Sequence, residues 1–217
     1  MTMHMQRELE KLKKMILALS AVVEESVQQA VLSLVKRDVA LAEKVVAGDE
    51  QVDRMEVDLE EECLKILALH QPVAADLRFI VSVLKINNDL ERIADLATNV
   101  AERTVGLASV AHCEFPFDLE EMAAKVETML EKALDALVNL DLRLATEVTT
   151  LDDEVDAIHK QNYTLVKNQI RRSPERLDAL VQYLSISRHL ERIADLATNI
   201  AEDVTYMIEG EIVRHGL

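Results

Sequence analysis

Ten consecutive residues, Leu90-Glu91-Arg92-Ile93-Ala94-Asp95-Leu96-Ala97-Thr98-Asn99, return unchanged 100 positions later as Leu190 to Asn199. Chance does not produce such a run in 217 residues, so the chain is read as two copies of one unit. The copy extends upstream at an offset of 103, where Ile16, Leu19, Val23, Val27, Ala30 and Leu34 correspond to Leu119, Met122, Val126, Leu130, Ala133 and Leu137. Asp38/Asp141, Leu41/Leu144, Ala42/Ala145, Val45/Val148, Asp49/Asp152, Val52/Val155 and Asp53/Asp156 keep the same offset. Leu9, Leu12, Ile16, Leu19, Val23, Val27, Ala30 and Leu34 recur at steps of three and four, which places them on one face of an α-helix.

With four Gly, three Pro, no Trp and 3% aromatics, the chain has little turn chemistry and few β-favouring side chains. An all-β fold is excluded. Pro72, Pro116 and Pro174 divide the chain at intervals suited to pairs of long helices, because proline is tolerated at helix starts and in loops but not in interiors. Ser173-Pro174 reads as N-cap and first helical residue, and Gln71-Pro72 as a turn leading into a helix. Asp118 and Glu121 have capping-box spacing, flanked by the hydrophobic staple Phe117/Met122. The predicted fold is all-α: six long helices in two tandem, pseudo-symmetric three-helix bundles over residues 5–107 and 117–210, joined through Gly106 to Phe117. Short connections make each bundle up-down-up.

Lys and Arg number 24 against 40 Asp and Glu, a formal charge of −16. This sign argues against nucleic-acid binding, which draws its affinity from a basic surface, and favours cations and basic partner faces. No stretch reads as a run of eighteen or more apolar residues. The amino terminus alternates Arg7, Glu8, Glu10, Lys11, Lys13 and Lys14 where a signal peptide needs an apolar core. The expectation is a cytoplasmic protein with no membrane span. Cys63 and Cys113 have neither ligand spacing nor the number for a disulfide framework, and read as packing residues, with a reactive thiol as the alternative.

In the first unit the second and third helices form a hairpin about Gln71-Pro72, so residues equally far from the bend share a height. Asp53 then lies level with Glu91, and Asp49, one turn further out, with Asp95. In the second unit Asp156 matches Glu191 and Asp152 matches Asp195 about Ser173-Pro174. Each half thus presents two i,i+4 acidic pairs facing each other. Like charges at that spacing repel by a few tenths of a kcal/mol per pair, and neutralisation by multivalent cations follows. An all-carboxylate set suits hard or borderline ions, Fe, Mn, Mg or Ca, with Zn also admissible.

Glu56/Glu60 and Asp58/Glu62 have the same spacing, but their offset-103 counterparts are His159/Tyr163 and Gln161/Leu165; only the four proposed pairs survive duplication. The competing readings are salt bridges from Arg54, Arg92 and Arg192, and Asp49 as the cap of a helix restarted after Gly48. Thr98/Thr198, Asn99/Asn199 and Glu102/Glu202 repeat as a polar flank. The repeated alanines 94, 97 and 101, with 194, 197 and 201, permit close helix packing. His189 replaces Asp89 beside the second acidic set, either as a stray ligand or as a solvated surface residue. Asp76-Leu77-Arg78 has no repeat counterpart and is either a docking turn or ordinary surface.

The two Leu-Glu-Arg-Ile-Ala-Asp-Leu-Ala-Thr-Asn copies, Gln71-Pro72-Val73-Ala74-Ala75-Asp76-Leu77-Arg78 and the closing Glu209 to His215 segment resemble the PhoU family of phosphate-transport accessory proteins. The resemblance covers nearly the whole chain. It implies a pair of three-helix bundles and a negative regulator of the phosphate-starvation response. The implied partners are the ATPase subunit of the phosphate ABC transporter and a phosphate-sensing membrane histidine kinase, with the protein peripheral to the inner membrane through them. It also implies multinuclear metal clusters at Asp49, Asp53, Glu91, Asp95, Asp152, Asp156, Glu191 and Asp195. A homodimer is a further expectation, because long helix faces remain after bundle formation. Two other classes remain: a carboxylate-bridged di-iron oxidase, which needs Glu-x-x-His ligands inside a four-helix core, and a metal-free structural adaptor.

Overall fold

The computed structural model describes residues 3–110 and 114–210; Cys113 and the segment from Glu211 to His215 lie outside them. The described residues form six long helices and no strand: α1 (Met3–Lys36), α2 (Val39–His70), α3 (Ala74–Ala108), α4 (Leu119–Asn139), α5 (Leu142–Arg172) and α6 (Leu177–Glu209), with a single 3-10 turn, Pro174–Arg176, ahead of α6. The first three make one bundle and the last three its repeat, as expected.

The duplication reaches the backbone of the corners. α1 ends on Arg37 with φ 54° and α4 on Leu140 with φ 51°, both in the left-handed region. The next amide in each case bonds back five residues, Asp38 N to Ser33 O at 2.8 Å and Asp141 N to Ala136 O at 3.1 Å, closing a Schellman-type end. The same aspartate then caps the following helix: Asp38 Oδ1 accepts from Leu41 N at 3.0 Å, and Asp141 Oδ1 from Arg143 N at 2.8 Å. Asp118 caps α4 by accepting from Glu121 N at 2.9 Å, with Phe117 and Met122 both buried beside it. Ser173 departs from expectation. Its side chain caps nothing, because Pro174 opens the 3-10 turn and α6 begins three residues later; the Ser173 amide instead closes α5 on Gln169 O.

The periodic stripe of α1 faces inward, with Leu12, Leu19 and Val23 fully buried, and Met122, Val126 and Leu130 do the same on α4. Contrary to the sequence reading, α1 contains within His4–Lys36 a stretch long and apolar enough, by length and composition, to cross a membrane. Its apolar side packs against α2 and α3 as a core helix. Cys63 is buried, and burial pushes its thiol up to about 12, as fits a packing residue.

The bundles join along α3 and α6, with a smaller contact between α1 and α4, while α2 and α5 touch only their own bundle. Lys85 Nζ meets Asp203 Oδ1 at 2.9 Å and Arg103 donates to Gln182 at 3.2 Å, so α3 and α6 run antiparallel. The alanines at 94, 97, 101, 194, 197 and 201 are all buried and lie on the other side of each helix, where they let it pack closely within its own bundle. This leaves the α2–α3 and α5–α6 grooves as equivalent outer seams of the two repeats.

Candidate metal centre

The eight carboxylates lie in those two seams. In the first, Asp49 and Asp53 project from α2, and Glu91 and Asp95 from α3. Asp49 Oδ1 accepts from Thr98 Oγ1 at 3.2 Å, which pins the two helices in the register expected from the hairpin. Burial, and then the charges of Asp53 and Asp95, raise Asp49 above the usual carboxylate range against the opposing Thr98 bond. Glu91 is likewise raised by burial, then by Asp95, Glu56, Asp53 and Asp49. None of the four makes an ion pair among the described residues.

The second seam draws its groups tighter. One carboxylate oxygen each from Asp156, Glu191 and Asp195 lie within 4.8 Å of one another, the one such convergence of His, Cys, Asp or Glu among the described residues. Glu191 and Asp195 are one turn apart on α6, and Asp156 faces them from α5. Burial raises Asp195, as do Glu191 and Asp156, with Arg192 opposing; burial also raises Glu191, followed by Asp156. Asp152 sits one turn outward, raised by burial and by Asp195, with the Thr198 hydroxyl drawing it back. Beside it opens a cleft of about 310 Å³ bordered by Asp152, Asp195, Arg92 and Arg192.

Neutralisation by arginine is mostly not what the geometry shows. Arg54 pairs with Glu50 at 3.1 Å and Arg92 with Asp89 at 3.4 Å, both outside the acidic sets. Arg188 and Arg192 act at longer range, and among the described residues the one direct cation is Lys160, 2.8 Å from Asp156. The restarted-helix alternative fails as well, because α2 runs unbroken through Gly48.

Two residues that the duplication test had set aside flank the clusters. Glu56 adjoins the first: burial raises it, then Glu60 and Asp53, and Asn87 donates to its backbone oxygen at 3.0 Å and its side chain at 3.3 Å. Its offset-103 counterpart, His159, adjoins the second, with Nδ1 2.9 Å from Ser187 Oγ. Ser187 is the offset-100 counterpart of Asn87. The two seams therefore carry a Glu–Asn pair in one half and a His–Ser pair in the other at the same place. Their shared position, three residues after Asp53 and Asp156, was the available signal; the change of residue type concealed it. His189, by contrast, lies among Arg103, Arg192 and Arg188 with Nε2 3.2 Å from Ser185 Oγ, half-buried and away from the carboxylates.

A trio of anionic oxygens drawn from two helices, half-exposed and with Lys160 paired to one of them, can accept a hard or borderline metal ion, with imidazole nitrogen nearby in one half only. Comparison with known proteins gives this arrangement a context. The PhoU domain model matches residues 16–104 and again 119–204. A phosphate-specific transport system accessory protein PhoU homolog from Pseudomonas aeruginosa is 37% identical over 96% of this chain and 86% of its own length. The homolog from Aquifex aeolicus is 36% identical over 96% and 95%. The crystal structure of PhoU from Pseudomonas aeruginosa superposes with a TM-score of 0.92 at 36% identity, covering 95% of this chain and 99% of that one. The phosphate transport system regulatory protein PhoU from Streptococcus pneumoniae gives 0.86 at 30% identity, covering 97% and 100%.

Proposed function

This chain belongs to the PhoU family, and from that premise we propose that it is a metal-binding regulatory adaptor of phosphate homeostasis, which binds and does not catalyse. In this reading it links the phosphate ABC transporter ATPase to a phosphate-sensing histidine kinase and represses the starvation response when phosphate is plentiful. It acts in the cytoplasm, reaching the inner membrane through those partners, and pairs as a homodimer. Support comes from the named roles of its relatives as transport accessory and regulatory proteins and from the acidic charge of −16, which suits basic partner faces.

The convergence of Asp156, Glu191 and Asp195 is the observation that carries the metal reading. These three, with Asp152, would hold the ion or ions of the second seam; Asp49, Asp53, Glu91 and Asp95 would hold those of the first. Fe, Mn, Mg, Ca and Zn are all compatible with such donors. Bound metal supplies positive charge that cancels the repulsion between the facing pairs, and so couples occupancy to the stiffness of the α2–α3 and α5–α6 seams. Thr98 orients Asp49, and Lys160 holds Asp156 until a cation displaces it. A di-iron oxidase is less well supported, because the carboxylates sit in half-exposed seams and not inside a four-helix core.

Metal analysis of protein purified without chelator, repeated for Asp53→Asn with Asp156→Asn, tests the proposal. Co-purifying metal in the parent, and its loss in the double variant with the fold intact, is the expected result. Equal metal content in both, or none in either together with no thermal shift on adding metal, overturns it.

A further inference from the structure

The duplication is incomplete in one place. Ile16 of α1 corresponds to Leu119, the first residue of α4, so the turns of α1 ahead of Ile16 have no helical counterpart. In the second half that stretch is the connection between bundles, where Phe115 stacks on Tyr183 with centroids 3.9 Å apart. In the first half the extra turns of α1 wall an open trough of about 1000 Å³, closed by the start of α3, the end of α4 and the end of α6.

The trough has an apolar floor and one basic edge. Leu17 is 36% exposed, and Val138 and Leu140 are each 52% exposed; Phe79 and Met207 complete the apolar lining. Arg7, Lys11, Lys13 and Lys14 run along the α1 side, all exposed. Lys11 is engaged by Glu62 at 2.6 Å. Lys13 lies over the Phe79 ring at 5.8 Å and reaches the exposed Glu10 at 3.4 Å. Arg7 and Lys14 make no ion pair among the described residues. Asp76 is the other acidic residue in the lining. Such a basic edge stands out on a chain whose net charge is −16. The trough's basic groups all lie along the α1 side, with Asp76 the one charge opposite them; a charged edge beside an apolar floor is the form of grooves that take an amphipathic helix.

We propose that this trough, formed by the unduplicated turns of α1 with α4 and α6, docks an amphipathic helix of a partner protein, its apolar stripe on Leu17, Val138 and Leu140 and its acidic flank against Arg7, Lys13 and Lys14. The face carries none of the eight seam carboxylates, so docking here does not depend on metal. It extends the adaptor reading by giving one partner a chemistry.

The test uses a designed helical peptide of about 18 residues with Leu at i, i+3, i+4 and i+7 and Glu on the flank, beside a version with Lys on the flank. Binding to the full chain is followed by fluorescence anisotropy. The acidic peptide is expected to bind saturably, weakening as salt shortens the screening length, while the basic peptide does not bind. Lys13→Glu with Lys14→Glu, and separately Leu17→Glu with Val138→Glu, are expected to weaken binding about tenfold or more with the melting temperature little changed, since all four side chains are exposed. Equal binding of both peptides, or no effect of either double variant, overturns the proposal. It is also overturned if the peptide fails to bind while the variants abolish self-association in sedimentation, or attachment to phosphatidylglycerol vesicles. The probe is neither the transporter nor the kinase, so failure here leaves the phosphate-regulatory reading standing.

Discussion

At the scale of single residues, the carboxylates of the seams and Glu62 pull stability in opposite directions with pH. Asp49, Glu91, Asp152, Glu191 and Asp195 all have folded-state pKa values raised, first by burial. Each therefore holds its proton more tightly in the folded chain; the stabilisation is full below the ordinary carboxylate range and lost as pH rises through the raised value. Glu62 is the reverse. Burial would raise it, but bonds with Lys11, Glu8 and Lys65 outweigh this and take it to about 2, so its contribution is lost as pH falls from 4.5 towards about 2. The melting temperature of metal-free protein is expected to rise as pH falls from 7 into the carboxylate range, with the loss of the Glu62 contribution opposing that rise below 4.5. With saturating metal the first limb should invert, because protons then compete with the ion; thermal scans with and without chelator check both. Asp195→Asn should raise the metal-free melting temperature by about 1–2 °C, by removing like-charge repulsion, and abolish the rise produced by metal. The carboxylates were legible beforehand because duplication filters out accidental acidic pairs. Glu56 and His159 were not: the same filter discards any position whose chemistry has diverged.

At the scale of helices, caps and corners carry measurable weight. Asp118 and Asp141 each satisfy amides at a helix start, so Asp118→Ala and Asp141→Ala should each cost about 1 kcal/mol in chemical denaturation. Ser173→Ala should change stability by less than about 0.5 kcal/mol, because the serine hydroxyl caps no helix. Leu140 holds a left-handed backbone at φ 51° while half-exposed; Leu140→Gly should stabilise by about 0.5–1 kcal/mol, since only glycine occupies that region without steric penalty. Cap residues could be read locally because they act within four residues of their own position. The failure at Ser173 has an equally local cause: Pro174 restrains the residue before it from helical geometry, and the helix starts only after a 3-10 turn.

For the whole molecule, the α3–α6 contact makes the two repeats one body. Without the second half, α3 would present Lys85, Arg103 and the buried Leu96 of the same face to water, so a fragment of residues 1–110 should self-associate through α3 in place of α6. Sedimentation that shows a folded monomer at all concentrations would contradict this. The repeat, the helical class and the identity of the acidic pairs follow from the chain alone, because apolar spacing and proline placement are governed by interactions a few residues long. Which bundle faces meet, how closely Asp156, Glu191 and Asp195 approach, and where the uncopied turns of α1 open a trough arise only on packing. Those outcomes depend on contacts between residues far apart in the chain, such as Lys85 with Asp203, and no local pattern encodes their distance.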